Sequence, residues 1–380
     1  MKAIYLDHAA TTPVHPKVAE AMTESLQENF GNPSSIHSFG RKARQVLDKA
    51  RSVAAQSIKA TEKDIVFTSG GTEADNIAIT GVALANQDKG KHIITTKIEH
   101  HATLHTAEYL EKQGFDVTYL DVNEHGVINL EQLKNALRDD TILVTVMMVN
   151  NETGVIQPIA EIGELLADHQ AYFHTDAVQA YGMLPIDVGE LKVDLLTVSS
   201  HKINGPKGLG FLYVHPDVTL QALQHGGEQE RKRRPGTENV AAIAGFTEAI
   251  QLAQTEREQR YQQYQDYRDL FLQILRDQNV NFSLNGEKSE RVPNIINVSF
   301  PGTNVEALLT NFDLSGVAAS SGSACTAGSV EPSHVLSAMY TENSSCTTNS
   351  IRFSFGLANT QENIAEAAEK VAKIVQRLTN

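Results

Sequence analysis

Several features that would place this chain in familiar classes are scarce or missing. Of 380 residues only two are cysteine, Cys325 and Cys346. That is too few for a disulfide framework or a four-thiolate metal site, and a reducing, cytoplasmic setting is expected. No run approaches the roughly 20 apolar residues a membrane helix needs. The opening MKAIYLDHAATTP carries an aspartate where the apolar part of an export signal would sit, so export is not expected. Positive charge is in deficit: 32 Lys and Arg stand against 46 Asp and Glu, a net charge of −14. This excludes general binding to nucleic acid or anionic membranes and leaves room for a basic partner. There is no internal repeat and no low-complexity tract. What remains is 41% hydrophobic and 21% charged, an ordinary soluble composition with ample chain for a large core.

Over the first 250 residues, short apolar runs alternate with amphipathic stretches. The runs at 64–68, 92–96, 116–120, 142–146, 172–174, 195–199 and 210–214 predict strands. The stretches 74–85, 103–113, 129–137 and 159–169 predict helices. Such alternation implies an α/β fold, a mainly parallel sheet sandwiched by helices. Residues 247–276 predict one long polar helix leading into a smaller α+β domain with strands at 295–300, 316–319 and 351–355. A division into 1–250 and 251–380 follows, with the N-terminal segment packing on the smaller part.

Ligands of open α/β sheets gather at the carboxyl ends of strands, and five polar clusters fall there. TSGGTEADN follows a strand and opens a helix; Gly70 and Gly71 admit an anion to the backbone amides and Thr72 adds a hydroxyl. A plain turn with Thr72 as N-cap is the alternative. Asp176 in FHTDAVQA lies two residues past a predicted strand, where a carboxylate is commonly a helix cap. Lys202 in SSHKINGPKGLG is a lysine confined between a polar loop and glycines, fit for Schiff-base or general-base chemistry. His100 in KIEHHATLH could stack on an aromatic ligand, or His101 and His105, four apart, could bind zinc. Asn150 and Asn151 in VNNETG could hold a substrate carboxylate or simply form a turn.

Taken together, the first three clusters answer the needs of pyridoxal 5′-phosphate. Its phosphate needs amides and hydroxyls, its aldehyde a lysine, and its pyridine nitrogen a carboxylate that keeps it protonated as an electron sink.

The chain resembles the NifS/IscS-type cysteine desulfurases, class V aminotransferase-like enzymes of fold type I that depend on pyridoxal phosphate. The resemblance runs through YLDHAATTP, FGNPSSIHSFGRKAR, TSGGTEADN, EHHA, VNNETGVIQPI, HTDAVQA, SSHKINGPKG, RRPGTEN, SSGSACTAGSVEPSHVL and SIRFSFG. It implies that Lys202 anchors the cofactor, Asp176 pairs with its ring nitrogen and His100 stacks on the ring. Gln179 would reach the phenolic oxygen, and Gly71, Thr72, Ser199 and His201 the phosphate. Thr237 would reach the phosphate of a neighbouring subunit, which implies a homodimer. Asn151 and Arg352 would grip the substrate carboxylate. One departure stands out: Leu357 follows SIRFSFG where many relatives carry arginine; 340–349 also looks locally variable.

The resemblance also gives Cys325 a role. L-cysteine would become L-alanine, and sulfur would pass as a persulfide on Cys325 to an acceptor for iron–sulfur cluster assembly or tRNA thiolation. The small side chains of SSGSACTAGS suit a loop that must swing. No resident metal is expected, and Cys325 would touch a nascent iron–sulfur cluster only transiently. His100 or the substrate-bound cofactor is the candidate for ionising the thiol, while Cys346 reads as incidental. An aminotransferase, a selenocysteine lyase or a non-catalytic sulfur carrier are the rival readings.

Overall fold

The structure is a computed structural model that describes residues 3–322, 332–340 and 344–379. Cys325 lies outside the described residues. From the N-terminus, β1 is Ile4–Tyr5. A central sheet follows from β2 (Ile65–Thr68), β3 (His92–Thr96), β4 (Asp116–Leu120), β5 (Thr141–Thr145), β6 (Tyr172–Asp176), β7 (Leu195–Ser199) and β8 (Gly210–Val214). Their order across the sheet is β2-β8-β7-β6-β5-β3-β4. Only β8 runs antiparallel to its neighbours; the other pairs are parallel.

The apolar runs are continuous because helices cover both faces, which leaves β2, β3, β5, β7 and β8 buried throughout. The edge strand β4 is exposed at Asp116, half-buried over the next three residues and buried at Leu120. The helix Gly71–Asn86 is buried nearly all round, consistent with its run of Ile, Ala and Val.

The remaining strands are β9 (Ser283–Leu284), β10 (Ile295–Ser299), β11 (Val317–Ala318) and β12 (Ser350–Ser354). They form a small antiparallel sheet, β12-β10-β9, and a parallel pair, β1-β11. A second core of Phe271, Phe300, Phe312, Phe353 and Phe355 lies here, and Ile4 and Leu6 pack into it. The N-terminal segment therefore joins residues more than 300 positions away in sequence, through the Ile4–Val317 register.

Two sequence expectations need correction, and one alternative falls away. The single helix over 247–276 is two helices, Val240–Thr255 and Arg257–Asp277. Glu256 breaks it with a backbone outside the helical region, and its carboxylate holds Arg260 at 2.8 Å. The first helix is apolar and buried in the main core, so a polar connector pattern described only the second. Asp176 is the last residue of β6, not two residues beyond a strand, because the polar pair Thr175–Asp176 continues the ladder against β7. Thr72 is not an N-cap: that position is Gly70, at φ +149°, a conformation L residues rarely adopt.

Candidate active site

The carboxyl ends of β5, β6 and β7 and the N-terminus of the Gly71–Asn86 helix border a cavity of about 440 Å³. That is within the range of small-ligand sites. It brings together Gly71, Thr72, His100, Asn151, Asp176, Gln179, Ser199, His201, Lys202 and Arg352. Thr237 is not part of it and lies exposed before the Val240–Thr255 helix. Gly322, the last described residue before the cysteine segment, lines its wall.

Lys202 is placed by a short 3₁₀ turn at the end of β7. Its ammonium donates to Ala9 O and, at 2.8 Å, to Ala10 O, so the N-terminal HAAT segment forms part of the lysine's seat. Gln179 Nε2 donates to the same Ala9 O at 2.9 Å. His201 Nδ1 meets Thr11 Oγ1 at 3.1 Å, while its backbone oxygen accepts from Thr12. Burial, with Lys202 adding to it, pushes His201 down to about 4.

Asp176 is buried, and one carboxylate oxygen accepts Val178 N at 2.8 Å, so the local turn bond expected of a cap is present. Burial nevertheless pushes its carboxyl up to about 6, against the pull of that amide and of Lys202. A carboxylate so poorly compensated calls for a cationic donor. Near it lies Asp75, also fully buried, with no hydrogen bond to Oδ1 among the described residues, His174 Nε2 3.6 Å away, and its pKa raised by burial and by Asp176.

His100 is the N-cap of the helix His101–Lys112, and its Nδ1 accepts Ala102 N at 3.1 Å. Burial, reinforced by Lys202, holds its pKa down to about 4. The ring is therefore neutral at pH 7, and with Nδ1 accepting, its proton sits on Nε2. A neutral aromatic ring suits stacking. It presents a donor and no free lone pair, which argues against His100 as the base that ionises a thiol. His101 and His105 are stacked face to face, with centroids 5.0 Å apart and planes 3° from parallel. Stacked rings do not converge on a metal, and among the described residues no group of three or more potential ligands could hold one.

Arg352, on β12, is buried; Nη1 donates to Asn151 O and Nη2 to Asp7 Oδ1, both at 2.9 Å. Its Nε and the nearby Asn151 Oδ1 are buried and unpartnered among the described residues. Asn150, by contrast, is structural: its amide closes the turn by accepting Glu152 N and Thr153 N and donating to Ile98 O.

Pyridoxal phosphate fits these residues. A Cβ added at Gly71 would stand 3.0 Å from Val178 Cγ2 and 3.6 Å from Ser199 Cβ, so the bare backbone keeps a helix N-terminus open to an anion. Asp176 offers an under-compensated carboxylate, and Lys202 and His100 share the same cavity. Sequence reasoning missed Asp7, Asp75, Glu99 and Glu152. Asp7 and Glu152 were visible inside YLDHAATTP and VNNETG, but only the fold shows that both reach Arg352's neighbourhood.

Comparison with known proteins gives consistent matches along the chain. The profile of the family described as Aminotransferase class-V matches residues 4–366. A putative cysteine desulfurase IscS 1 of Bacillus subtilis (strain 168) is 60% identical over 100% of both chains. The cysteine desulfurase IscS of Methanosarcina thermophila is 50% identical over 100% of this chain and 93% of its own. A solved NifS-like protein superposes with a TM-score of 0.91 at 34% identity, covering 99% of this chain and 100% of that one.

Proposed function

Since the chain belongs to the class-V aminotransferase family and, within it, to the NifS/IscS-type cysteine desulfurases, we propose how its own residues carry out the pyridoxal-phosphate-dependent conversion of L-cysteine to L-alanine. The observation that carries the assignment is the meeting of Lys202, Asp176, His100, Arg352 and the Gly71 helix terminus around one cavity.

Lys202 would hold the cofactor covalently, Asp176 its ring nitrogen, and His100 its ring face. Gln179 would reach the phenolic oxygen, and Gly71, Thr72, Ser199 and His201 would hold the phosphate. When bound, the cofactor supplies an electron sink for negative charge at the substrate's α-carbon. Arg352 and Asn151 hold the substrate carboxylate, the guanidinium through its fork of donors. Lys202 Nζ moves the α-proton. Its two carbonyl partners, Ala9 O and Ala10 O, keep the amine turned to the cavity between transfers.

Cys325 acts as nucleophile toward the substrate's sulfur. The C–S bond breaks with its electron pair going to carbon, and an S–S bond forms. With a proton delivered to that carbon, the products are L-alanine and a Cys325 persulfide. Carbon is reduced and sulfur oxidised to the sulfane level, so no outside oxidant is needed. A thiol of ordinary pKa, about 8.5, is only a few per cent ionised at neutral pH, so ionisation is part of the work.

Two further parts of the reading concern partners. A second copy of the chain would bring Thr237 to the phosphate; an exposed apolar patch of Leu26, Phe30, Ile36 and Phe39, from 52% to 91% exposed, supports such an interface. The persulfide would pass to an iron–sulfur scaffold or a tRNA-thiolating enzyme. A cytoplasmic site of action belongs to the same reading; among the described residues no helix is long and apolar enough to cross a membrane.

The test is Cys325→Ser. It should bind cofactor and change the cofactor's spectrum with L-cysteine, yet release no sulfide. Normal sulfide output would refute the persulfide route. An aminotransferase would instead need a keto-acid acceptor and be indifferent to this substitution.

A further inference from the structure

The Glu152 carboxylate lies at the wall of the cavity, 1% exposed, yet none of the roles above uses it. Its backbone is fixed on both sides: Glu152 N donates to Asn150 Oδ1 at 3.0 Å, and Glu152 O accepts Asn297 Nδ2 at 3.2 Å. The side chain meets both ends of the segment that carries Cys325. On the far side, Ser333 Oγ donates to Glu152 Oε2 while also capping the helix His334–Met339 through Leu336 N at 3.1 Å. On the near side, a Cβ added at Gly322 would overlap the Glu152 carboxylate, so the backbone presses directly on it. His334 fixes the same end, with Nε2 2.9 Å from Glu99 O and Nδ1 4.0 Å from Glu152 Oε1.

Two points ten or so residues apart in sequence thus rest on one buried carboxylate. We propose that Glu152 is a positioning residue that clamps both ends of the Cys325 segment and so sets where the thiol can reach. The chain geometry makes the near end decisive. Cys325 is three residues beyond Gly322, and three residues span at most about 10 Å. Gly322 lines the cavity, so the near end of the segment is held at the cavity wall. Burial makes the clamp stiff: the carboxylate is held through Oε2 by Ser333 Oγ, lies against the Gly322 backbone and belongs to a residue 1% exposed. The proposal rests on the persulfide role of Cys325.

The experiment uses the holoenzyme and compares Glu152→Ala, Glu152→Gln, Ser333→Ala and Gly322→Ala with wild type. Each is given ³⁵S-labelled L-cysteine in a single turnover, and label on Cys325 is followed with the cofactor's spectral change. The expected result is a spectral change at an unaltered L-cysteine concentration, within about twofold, and label transfer slowed tenfold or more in Glu152→Ala and Gly322→Ala. Glu152→Gln keeps an acceptor for Ser333 and should recover most of the rate. A double variant, Glu152→Ala with Ser333→Ala, is compared as well and should be little slower than Glu152→Ala alone, because the two act as one unit. Alkylation of Cys325 by iodoacetamide gives a second reading, with Cys346 as internal reference; it should accelerate severalfold when either end is released. Wild-type transfer and alkylation rates in Glu152→Ala and Gly322→Ala would overturn the clamp while leaving the persulfide route standing. A loss confined to L-cysteine binding would make Glu152 a substrate contact and also overturn it. No label on wild-type Cys325 would remove the persulfide reading and the clamp together.

Discussion

Arg352 Nη2 donates to Asp7 Oδ1 at 2.9 Å, an ion pair that joins the last strand to the N-terminal segment. The arginine side chain is 3% exposed and the aspartate 19%. Nη1 is held by Asn151 O, so both terminal nitrogens have protein acceptors that orient the guanidinium; on the proposed reading the substrate carboxylate would meet it in this orientation. Arg352→Lys removes the fork but keeps the charge. KM for L-cysteine should rise about 10- to 100-fold, corresponding to about 1.4 to 2.8 kcal/mol, with cofactor retention unchanged. Asp7→Asn should produce a smaller rise, since it loosens the fork without removing it. Steady-state kinetics beside cofactor absorbance checks both. A fall in kcat at constant KM for Arg352→Lys would contradict the substrate-binding role.

Glu99 should make the cofactor-free protein less stable as pH rises. Burial pushes its carboxyl up to about 8, against hydrogen bonds from Met147 N and Thr96 Oγ1. Between the ordinary value near 4.5 and about 8, the folded chain binds more protons here than the unfolded chain. Its stabilising contribution is therefore complete below pH 4.5 and lost as pH climbs through 8. Glu99→Gln mimics the protonated form, so the variant should lose less melting temperature than wild type between pH 5 and pH 8. Buried histidines act in the opposite direction: burial lowers His100 and His201 to about 4, so their contribution grows as pH rises from 4 to 6.5. Glu99→Gln isolates one term from the other. Parallel melting curves for the two proteins would refute the assignment.

What could be read from the chain was what local pattern encodes. The strands at 92–96, 116–120, 195–199 and 210–214 agree with the sequence in both bounds, because each is an apolar run closed by polar residues. Lys202 and Asp176 were legible because they stand at strand ends, where helices and ladders have no need of them. Asp7 was not, since its value depends on Arg352, 345 residues away. Glu152 was not either: its neighbours in the turn hide a carboxylate whose partner is Ser333, 181 residues on. The break at Glu256 escaped because Gln, Arg and Glu on both sides are all acceptable in a helix.

Gly71→Ala should separate cofactor binding from folding. Alanine is preferred over glycine in a helix interior by about 1 kcal/mol; at this first helical position the close contact with Val178 offsets that gain, so the cofactor-free chain should change little in stability. The new methyl would stand 3.0 Å from Val178 Cγ2, in the space through which an anion approaches the helix terminus. Pyridoxal phosphate should therefore bind about tenfold more weakly, roughly 1.4 kcal/mol, measured by equilibrium dialysis or by quenching on reconstitution. Undiminished affinity would place the phosphate elsewhere.

Arg51 and Glu230 form a two-pronged buried pair, with Nη1 and Nη2 each 2.7 Å from a carboxylate oxygen. Glu230 Oε2 also accepts Phe67 N at 3.0 Å, and Arg51 Nη1 donates to Ile65 O at 2.6 Å. The pair thereby satisfies the free edge of β2, the strand that delivers the Gly70–Gly71 turn. It also fixes Glu230, Arg231 and Lys232, three consecutive non-glycine residues at φ of 47°, 55° and 65°. That backbone is unfavourable by about 1–2 kcal/mol per residue and needs an external hold. Arg51→Ala leaves Glu230 buried without its partner, so the loss should be about 3–5 kcal/mol, seen as a lower melting temperature. The segment continues directly to Pro235, Gly236 and Thr237. If Thr237 serves a neighbouring subunit's phosphate, Glu230→Gln should weaken cofactor retention more than its loss of stability explains, because neutralising the carboxylate leaves Arg51 buried without its counter-ion and loosens the segment. Retention that tracks stability alone would confine the pair to a structural role and remove Thr237 from the phosphate site.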